Sequence, residues 1–341
     1  MNAPSRFNTR YPFHPYSTGW FVVAFSDELT PGQVKPARYF AKDLVIFRTE
    51  SGKAAVADAH CPHLGAHLGY DSKVQGETIE CPFHQWRYDT GGKCVSIPFT
   101  DKIPPKAKLR MWETREYNNM IYVWHDINGG APTWEMPEFD ETGRVLGSGF
   151  HKLHDDFGGA HPQDILENAV DWAHFPGVHG TGRAVSGGEI EIVDGVRFRS
   201  PIHSLAPGYD GPPEGGQVVS DIMAEVVGPA VANVRSTTPF VPGVTAVNYV
   251  GATPVDETLT HYRVTLFLLN DLNAPAPQEA VDQFDAYLTP TTEKEQYSDG
   301  KIWPHKAYVA APILSDQDGP IFKYRKWYEQ FHPAVEQPAS I

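Results

Sequence analysis

The chain has 341 residues, of which 41% are apolar and 12% aromatic, enough to bury large cores in roughly two domains. Its formal net charge of -14 and its lack of any basic run argue against nucleic-acid binding, which relies on clustered Lys and Arg. The sequence has three cysteines, no membrane-length apolar stretch and no signal-peptide core at residues 1–10. These features predict a cytoplasmic protein with metal-binding thiolates and no membrane span.

Two loops in the first part of the chain carry the same pair of ligand types. Cys61 is followed by His63, and Cys81 is followed by His84. A Rieske [2Fe-2S] centre needs two Cys on one iron and two His on the other, which two facing loops of this kind supply. Structural zinc sites usually pair Cys with Cys and His with His. The mixed pairs therefore predict an iron–sulfur cluster rather than zinc.

Three neighbouring residues of similar chemistry lie outside that two-plus-two pattern. His60 and His67 flank the first loop and are expected to be hydrogen-bonding loop residues. Cys94 follows a turn on a predicted strand, where a free cysteine behaves as a small apolar residue. We therefore assign none of the three to the cluster.

A change of composition divides the chain. From Ile127 the segment NGGAPTWEMPEF is rich in Gly and Pro, which predicts a crossing between domains at 1–130 and 131–341. We expect short strands with hairpin turns in the first domain. The second should be an antiparallel sheet wrapped by helices, an α+β arrangement of the helix-grip kind whose interior can hold a ligand. Its predicted strands span 218–227, 230–240, 246–250 and 259–269, and a helix spans 278–288.

Three histidines occur near the start of the second domain. His151, His154 and His161 lie near Asp155 and Asp156 in a Gly-rich stretch. Such a stretch is typical of a solvated loop. We therefore predict no metal site among these residues.

The segment His161–Gly180 predicts a buried helix with two histidines near its end. Asp171 and His174 are three residues apart and share a helix face, whereas His179 would point away from a straight helix. Pro176 breaks the backbone ladder, and the resulting kink can bring His179 beside His174. Two imidazoles with one carboxylate form the facial triad of non-heme Fe(II) oxygenases. On the residues alone, ordinary polar roles remain the alternative.

The C-terminal part offers two further carboxylates. Asp316 and Asp318 precede a predicted helix whose apolar face contains Ile321, Tyr324, Tyr328 and Phe331. Either aspartate can cap that helix, a common role worth about 1 kcal/mol. Either can also ligate a metal, and composition does not choose between these roles.

Several motifs occur together along the chain. They are Cys61-Pro-His63, Cys81-Pro-Phe-His84-x-Trp86-Arg87, Asn168-x2-Asp171-x2-His174-Phe175-x3-His179, Ile302-Trp303 and Asp318-Gly-Pro320. With them the chain resembles the oxygenase component of Rieske non-heme iron oxygenases, closest to the 3-ketosteroid 9α-hydroxylase group. The likeness runs from about Tyr11 to Phe331. Gln85 departs from the glycine of many relatives, and residues 181–216 follow the steroid enzymes less closely.

The resemblance implies a role for several residues of these motifs. The aspartate of the acid-Asp-Gly-Pro segment is the family's iron ligand, which selects Asp318 over Asp316. The implied triad is His174, His179 and Asp318. Asp171 then becomes the bridge between an iron-ligand histidine and a cluster histidine of a neighbouring subunit, and Asn168 is expected to act in catalysis beside it.

The function implied by the resemblance is hydroxylation of an apolar, steroid-like or other polycyclic substrate with O2. The implied cofactors are the [2Fe-2S] cluster and a mononuclear Fe(II). Electrons from NAD(P)H would arrive through a separate flavin or iron–sulfur reductase, because no G-x-G-x-x-G lies between a strand and a helix. A head-to-tail homotrimer is also implied, since the bridge joins two subunits.

Other functions remain open at this point. The chain could oxidise a smaller aromatic acid, amine or ether by hydroxylation or demethylation. A Rieske electron-transfer protein and a helix-grip ligand-binding module that has kept a redox centre are the further alternatives. Phe240, Val247, Tyr249 and Phe267 could line a substrate cavity, although strand aromatics more often belong to a core.

Overall fold

The computed structural model describes residues 11–137, 141, 144–211, 217–271 and 273–332. Residues 1–10, on which the expected lack of a signal peptide was based, lie outside this range. Eleven short strands come first and all pair antiparallel. They are β1 (Gly19–Phe25), β2 (Val34–Tyr39), β3 (Lys42–Arg48), β4 (Ala54–Asp58), β5 (Lys73–Gln75), β6 (Thr78–Glu80), β7 (Arg87–Asp89), β8 (Cys94–Ser96), β9 (Met111–Trp112), β10 (Thr114–Tyr117) and β11 (Met120–His125).

These strands form three small sheets. Their orders are β1-β11-β10, β2-β3-β4-β9 and β5-β6-β7-β8. The last sheet adjoins both cysteine loops, because the first loop ends at β5 and the second connects β6 to β7. The prediction of short strands joined by hairpins is confirmed for this part of the chain.

The second part is built on one large antiparallel sheet with the order β12-β19-β18-β17-β16-β15-β13, and β14 pairs with β15. Three α-helices accompany it in the part of the chain that the structure describes. The strands are β12 (Val145–Gly158), β13 (Ala184–Ser186), β14 (Glu191–Val193), β15 (Arg197–Leu205), β16 (Val218–Val227), β17 (Val231–Thr237), β18 (Val244–Pro254) and β19 (Leu259–Asn270). The helices are α1 (Pro162–Leu166), α2 (Gln278–Gly300) and α3 (Ile321–Tyr328).

The four predicted strands of this sheet are present as β16 to β19, and the predicted helix is the first half of α2. That helix continues past Pro290 for another ten residues, to Gly300. The prediction of a solvated loop around His151 and His154 is wrong. Both residues lie on β12, which pairs with β19 after an irregularity between Leu146 and His151 that hid the period-two pattern.

The two parts share a hydrophobic core. Trp20 and Val22 of β1 pack with Tyr122 of β11 against Tyr249 of β18 and Phe267 of β19. Gly251 permits this close approach, because a Cβ at that position would lie 2.4 Å from the Val22 side chain. The face of the large sheet that contacts the first part is therefore closed, and its other face is left for the helices.

Helix α3 packs on that other face. Tyr324 and Tyr328 are fully buried, as the apolar pattern of the C-terminal part predicted. The Tyr324 hydroxyl donates to the Gln163 carbonyl at 3.2 Å, and Arg325 forms two hydrogen bonds with the carboxylate of Glu167. Helix α3 thereby fixes the segment that leads to His174.

Candidate functional site

The two cysteine loops have the same pattern of backbone hydrogen bonds. The amide of Cys61 donates to the carbonyl of Ala66, and the amide of Cys81 donates to the carbonyl of Trp86, both at 2.9 Å. Four residues after each cysteine, Gly65 and Gln85 return an amide hydrogen bond to the cysteine carbonyl. Gly65 has φ +77° and Gln85 has φ +57°, so both occupy the left-handed region that favours glycine.

The side chains of these loops suit a cluster of two irons. Both thiols are buried, and burial raises the pKa of Cys81. The rings of His63 and His84 lie 4.6 Å apart, and His63 stacks on Trp86 at 4.3 Å. Nδ1 of His63 is buried without a hydrogen-bond partner in the structure. An unpaired buried nitrogen beside two buried thiols fits the Cys2His2 ligand set of a Rieske cluster.

The neighbouring residues take the ordinary roles that were expected. Cys94 is buried in the core of the loop region, and its thiol donates to the Ser96 carbonyl. His60 and His67 face each other across an isolated bridge, and Nδ1 of His67 accepts from the Gly69 amide. None of the three is needed for a Cys2His2 set.

A single π-helical turn brings the second pair of histidines together. Phe175–His179 forms this turn, and the rings of His174 and His179 lie 5.0 Å apart. The expected long helix is instead broken: α1 ends at Leu166 and a short 3₁₀ turn follows. The predicted approach of the two imidazoles is confirmed, through a π turn that contains Pro176.

Asp299, at the end of α2, supplies the carboxylate beside these imidazoles. His174, His179 and Asp299 each place one ligand atom within 4.8 Å of the others, and Nε2 of His179 lies 3.6 Å from Oδ2 of Asp299. Two imidazoles and one carboxylate form the donor set of a non-heme Fe(II) site. The buried Nδ1 of His179 has no hydrogen-bond partner in the structure. The residues present therefore fit a mononuclear iron.

Asp318 does not join this group, which corrects the expected triad. Its Oδ2 accepts hydrogen bonds from the amide and the hydroxyl of Ser315, at 2.6 and 3.0 Å. It closes a turn ahead of α3, whose N-cap residue is Pro320. Sequence reasoning missed Asp299, although it stands three residues before the Ile302-Trp303 motif.

Asn168 and Asp171, which precede His174 in its motif, hold the proposed ligands in place. Asn168 hydrogen-bonds to the Asp299 carboxylate, and its Oδ1 accepts from Nε1 of Trp303 at 3.4 Å. Nδ1 of His174 donates to the main-chain carbonyl of Asp171, which leaves Nε2 free for a metal. Asn168 and Asp171 are therefore positioning residues in this geometry.

The electrostatics of the site favour a bound cation. Burial lowers the pKa of His174, and burial with the nearby His174 lowers the pKa of His179 to about 4. Burial raises the pKa of Asp299 to about 7, despite the hydrogen bond from Asn168. The two imidazoles are therefore neutral, and burial destabilises the charged form of the Asp299 carboxylate. A divalent metal bound here would compensate that negative charge.

The candidate ligands open into a cavity of about 610 Å³ between the large sheet and α2. Its walls are mainly apolar, and a smaller set of polar side chains lies among them. The apolar residues include Ile202, Ile222, Val234, Val250, Val264 and Leu288, and the polar ones include Ser204, Ser220, Ser236, Asn248 and Gln296. This volume and lining are typical of a small-molecule site.

Of the four proposed cavity residues, three lie on strands, where alternation decides which face they take. Val247, Tyr249 and Phe267 pack against the first part of the chain and belong to the core. Phe240, which is 75% exposed, borders the cavity. The intervening residues of β18, Asn248 and Val250, point to the cavity instead.

Within the described residues, no helix is both long and apolar enough to cross a lipid bilayer. The longest helix is α2, and acidic, amide and hydroxyl side chains interrupt its apolar positions.

Two family models match the chain. A Rieske [2Fe-2S] domain matches residues 19–113, and a 3-ketosteroid 9α-hydroxylase C-terminal domain matches residues 123–332. The chain is 31% identical to cholesterol 7-desaturase nvd 1 of Ciona intestinalis, over 93% of this chain and 69% of that protein. It is 28% identical to a 3-ketosteroid-9-alpha-monooxygenase oxygenase component of Rhodococcus rhodochrous, over 98% and 83%. The resemblance inferred from the motifs is confirmed.

Solved structures share the fold. NdmA of Pseudomonas putida CBB5 with caffeine superposes with a TM-score of 0.66 at 20% identity, covering 91% of this chain and 89% of that one. Dicamba monooxygenase bound to dicamba gives 0.65 at 17% identity, covering 94% and 98%. At such low identity the likeness concerns architecture, and it confirms the predicted α+β fold.

Proposed function

Since the chain belongs to the Rieske oxygenases with a 3-ketosteroid 9α-hydroxylase C-terminal domain, we propose that it is the oxygenase component of a multicomponent monooxygenase. Its substrate would be apolar and polycyclic, of steroid size and shape. The observation that carries this proposal is a facial group of two histidines and one aspartate in the wall of a large apolar cavity. Cys61, His63, Cys81 and His84 would hold the cluster.

In this proposal His174, His179 and Asp299 hold the mononuclear iron. When bound, the iron supplies the activation of O2 for insertion of one oxygen atom into a C–H bond. Asn168 orients the Asp299 carboxylate, and the carbonyl of Asp171 fixes the His174 tautomer. The apolar walls hold the substrate and keep water away from the reacting carbon.

The substrate proposal rests on the cavity as well as on the relatives. A fused ring system offers a large rigid apolar surface, and its burial contributes about 25 cal/mol per Å². Asn248 gives the otherwise apolar centre of β18 a polar group, and its Oδ1 is buried without a partner in the structure. An amide in that position can donate to one ketone or hydroxyl of the substrate while its Oδ1 accepts from another hydroxyl.

We also propose that a second copy of the chain completes the electron path. The tips of the two cysteine loops present Leu64 and Phe83, which are 66% and 61% exposed. Exposed apolar residues around a redox centre favour docking to another protein surface. A head-to-tail homotrimer would bring these tips to Asp171 of a neighbouring subunit. A separate reductase would supply the electrons, and the cytoplasm is the compartment that suits free thiols.

A substrate panel tests the proposed function. With a compatible reductase and NADH, 3-ketosteroids or similar fused-ring compounds should stimulate O2 uptake and yield a hydroxylated product. Asn248→Leu should raise KM for ketosteroids at least about tenfold, because it removes the polar anchor. Ile222→Leu, a conservative change in the same wall, serves as the control with little expected effect.

The alternatives predict other outcomes of the same panel. Coupled oxidation of a small aromatic acid or amine, with no response to any fused-ring compound, would replace the substrate class. A pure electron carrier would show no substrate-dependent O2 uptake at all. The residues around His174 argue against a pure electron carrier, since electron transfer alone requires neither the two histidines and the aspartate nor the cavity.

A further inference from the structure

A second group of two histidines and one aspartate lies on the opposite face of the large sheet. His154 and Asp156 alternate along β12 with Leu153 and Phe157, whose side chains are buried on the cavity side with Trp303. His261 of β19 stands directly opposite Asp156 in the strand register. The three side chains therefore meet on the side of the sheet that faces the first part of the chain.

The spacing of the three ligand atoms suits a metal ion. Oδ1 of Asp156 lies 3.3 Å from Nε2 of His154 and 3.4 Å from Nε2 of His261, and each of the three residues places one ligand atom within 4.8 Å of the others. A charge-assisted hydrogen bond would be shorter, at about 2.7–2.9 Å. Tetrahedral zinc with bonds of about 2.0–2.1 Å places neighbouring ligand atoms about 3.3 Å apart.

The tautomer of His261 is set by its other neighbour. The Tyr39 hydroxyl has one proton, and it donates this to the carbonyl of Val23 at 2.9 Å. Nδ1 of His261 lies 3.2 Å from the same hydroxyl, so it must be the donor in that contact. In the neutral ring Nε2 is then an acceptor that faces the carboxylate of Asp156, and a cation between these two acceptors would satisfy both. Histidines that bind a metal through one ring nitrogen typically donate a hydrogen bond from the other, as Nδ1 of His261 does to Tyr39.

The charged surroundings include groups of both signs. Arg263 stands opposite His154 in the register and is almost fully buried, and Lys35 and Glu28 contribute their charges nearby. A buried guanidinium disfavours protonated imidazoles beside it, which leaves the ring nitrogens available as ligands. It also lowers the affinity for a dication, so binding of moderate strength is expected.

We propose that His154, Asp156 and His261 bind a divalent transition metal, with Zn²⁺ as the best match to the ligands and spacing. His154 and Asp156 are 41% and 53% exposed, so a water molecule can fill the fourth position. The metal would fasten two strands of the large sheet at the place where the β2–β3 hairpin docks. That hairpin already donates backbone hydrogen bonds from Phe40 and Ala41 to β18 and the residue after it.

Zinc binding to the iron-loaded full chain tests this inference without using activity. At equilibrium dialysis against Zn²⁺, metal analysis should find about one zinc per chain in excess of the free ion, together with about three iron ions per chain. His261→Gln and Asp156→Asn should each lower the zinc content to background at unchanged iron. The matched control is His151→Gln, because His151 lies on the same strand but pairs with Asp285 at 2.9 Å. It should keep the zinc.

A second measurement follows the fold directly. Zn²⁺ should raise the midpoint of thermal unfolding by a few degrees in the wild type and in His151→Gln, and by nothing in His261→Gln. Tyr39→Phe should bind zinc at least about tenfold more weakly, since it removes the acceptor that orients the ring. Zinc that binds equally to wild type and His261→Gln, or that enters only as iron is lost, would overturn the inference. So would no binding at all.

Discussion

The residues that carry the proposed chemistry differ in how far apart they lie along the chain. His174 and His179 are close in sequence, so a proline and a helix pattern were enough to predict their approach. Asp299 comes from another helix, and it is one of 42 acidic residues. The nearby Ile302-Trp303 motif does not by itself mark Asp299 as a ligand, because its position beside the histidines depends on how α2 packs on the large sheet. Asp318 was expected instead, because the family resemblance assigned the iron ligand to the Asp-Gly-Pro motif.

The first prediction separates these two aspartates. Asp299→Ala should lose the mononuclear iron and keep the cluster, because it removes one of the three proposed iron ligands. Asp318→Ala should keep both and lose about 1 kcal/mol of stability with its two hydrogen bonds to Ser315. Iron analysis and the visible spectrum of the two variants make the comparison. Exchanged phenotypes would restore Asp318 as the ligand.

The second prediction concerns the equivalent positions of the two cysteine loops. Gln85→Gly should stabilise the fold by about 0.5–1 kcal/mol, because it relieves a left-handed backbone at φ +57°. Gly65→Ala should cost about 1 kcal/mol, although no atom stands within 4 Å of the added Cβ. Thermal unfolding measures both changes, with cluster absorption as the check on assembly. Equal effects of the same sign would contradict this assignment of backbone strain.

At the scale of elements, the predictions succeeded where the pattern was regular and failed where it was interrupted. Strands β16 to β19 follow the β-branched residues and turns of the sequence closely. Strand β12 was missed, since its Gly residues and its irregular register with β19 resemble a loop. The helix before His174 was predicted too long, because a 3₁₀ turn and a π turn replace its second half. The 3₁₀ turn and the π turn both lie at the candidate iron site, and local departures from regular helix are frequent at functional sites.

The third prediction gives the Asp-Gly-Pro motif a structural role. A Cβ on Gly319 would lie 1.8 Å from the carbonyl oxygen of Val170, so the start of α3 can approach the broken helix only without a side chain. Gly319→Ala should therefore cost about 2–4 kcal/mol and weaken iron retention. Gly177→Ala is the control, because open space surrounds that position in the π turn. A change below about 0.5 kcal/mol in Gly319→Ala would contradict the close approach.

At the scale of the whole molecule, the shared core between the two parts of the chain leaves the cluster loops at the surface. Their tips expose Leu64 and Phe83, while the iron ligands lie in the wall of the cavity on the far face of the large sheet. The proposed electron delivery between copies of the chain would use this exposed surface. The sequence alone could suggest it only through the resemblance, because no local pattern encodes an assembly.

The fourth prediction tests that delivery. Asp171→Asn should leave both metal centres assembled, since its main-chain carbonyl still holds His174 and its side chain ligates neither centre. Electron transfer from a chemically reduced cluster should nevertheless fall at least about tenfold, because the variant lacks the carboxylate of the proposed bridge. Single-turnover product formation provides the measurement. A wild-type rate in this variant would refute the bridge.

The most direct test of the proposed function is one turnover under ¹⁸O2. Protein with a chemically reduced cluster is mixed with a 3-ketosteroid, and the product is analysed by mass spectrometry. We expect a hydroxylated product that carries a single ¹⁸O atom, and no product from Asp299→Ala. A product without the label, or an equal yield from Asp299→Ala, would contradict oxygen insertion at the site formed by His174, His179 and Asp299.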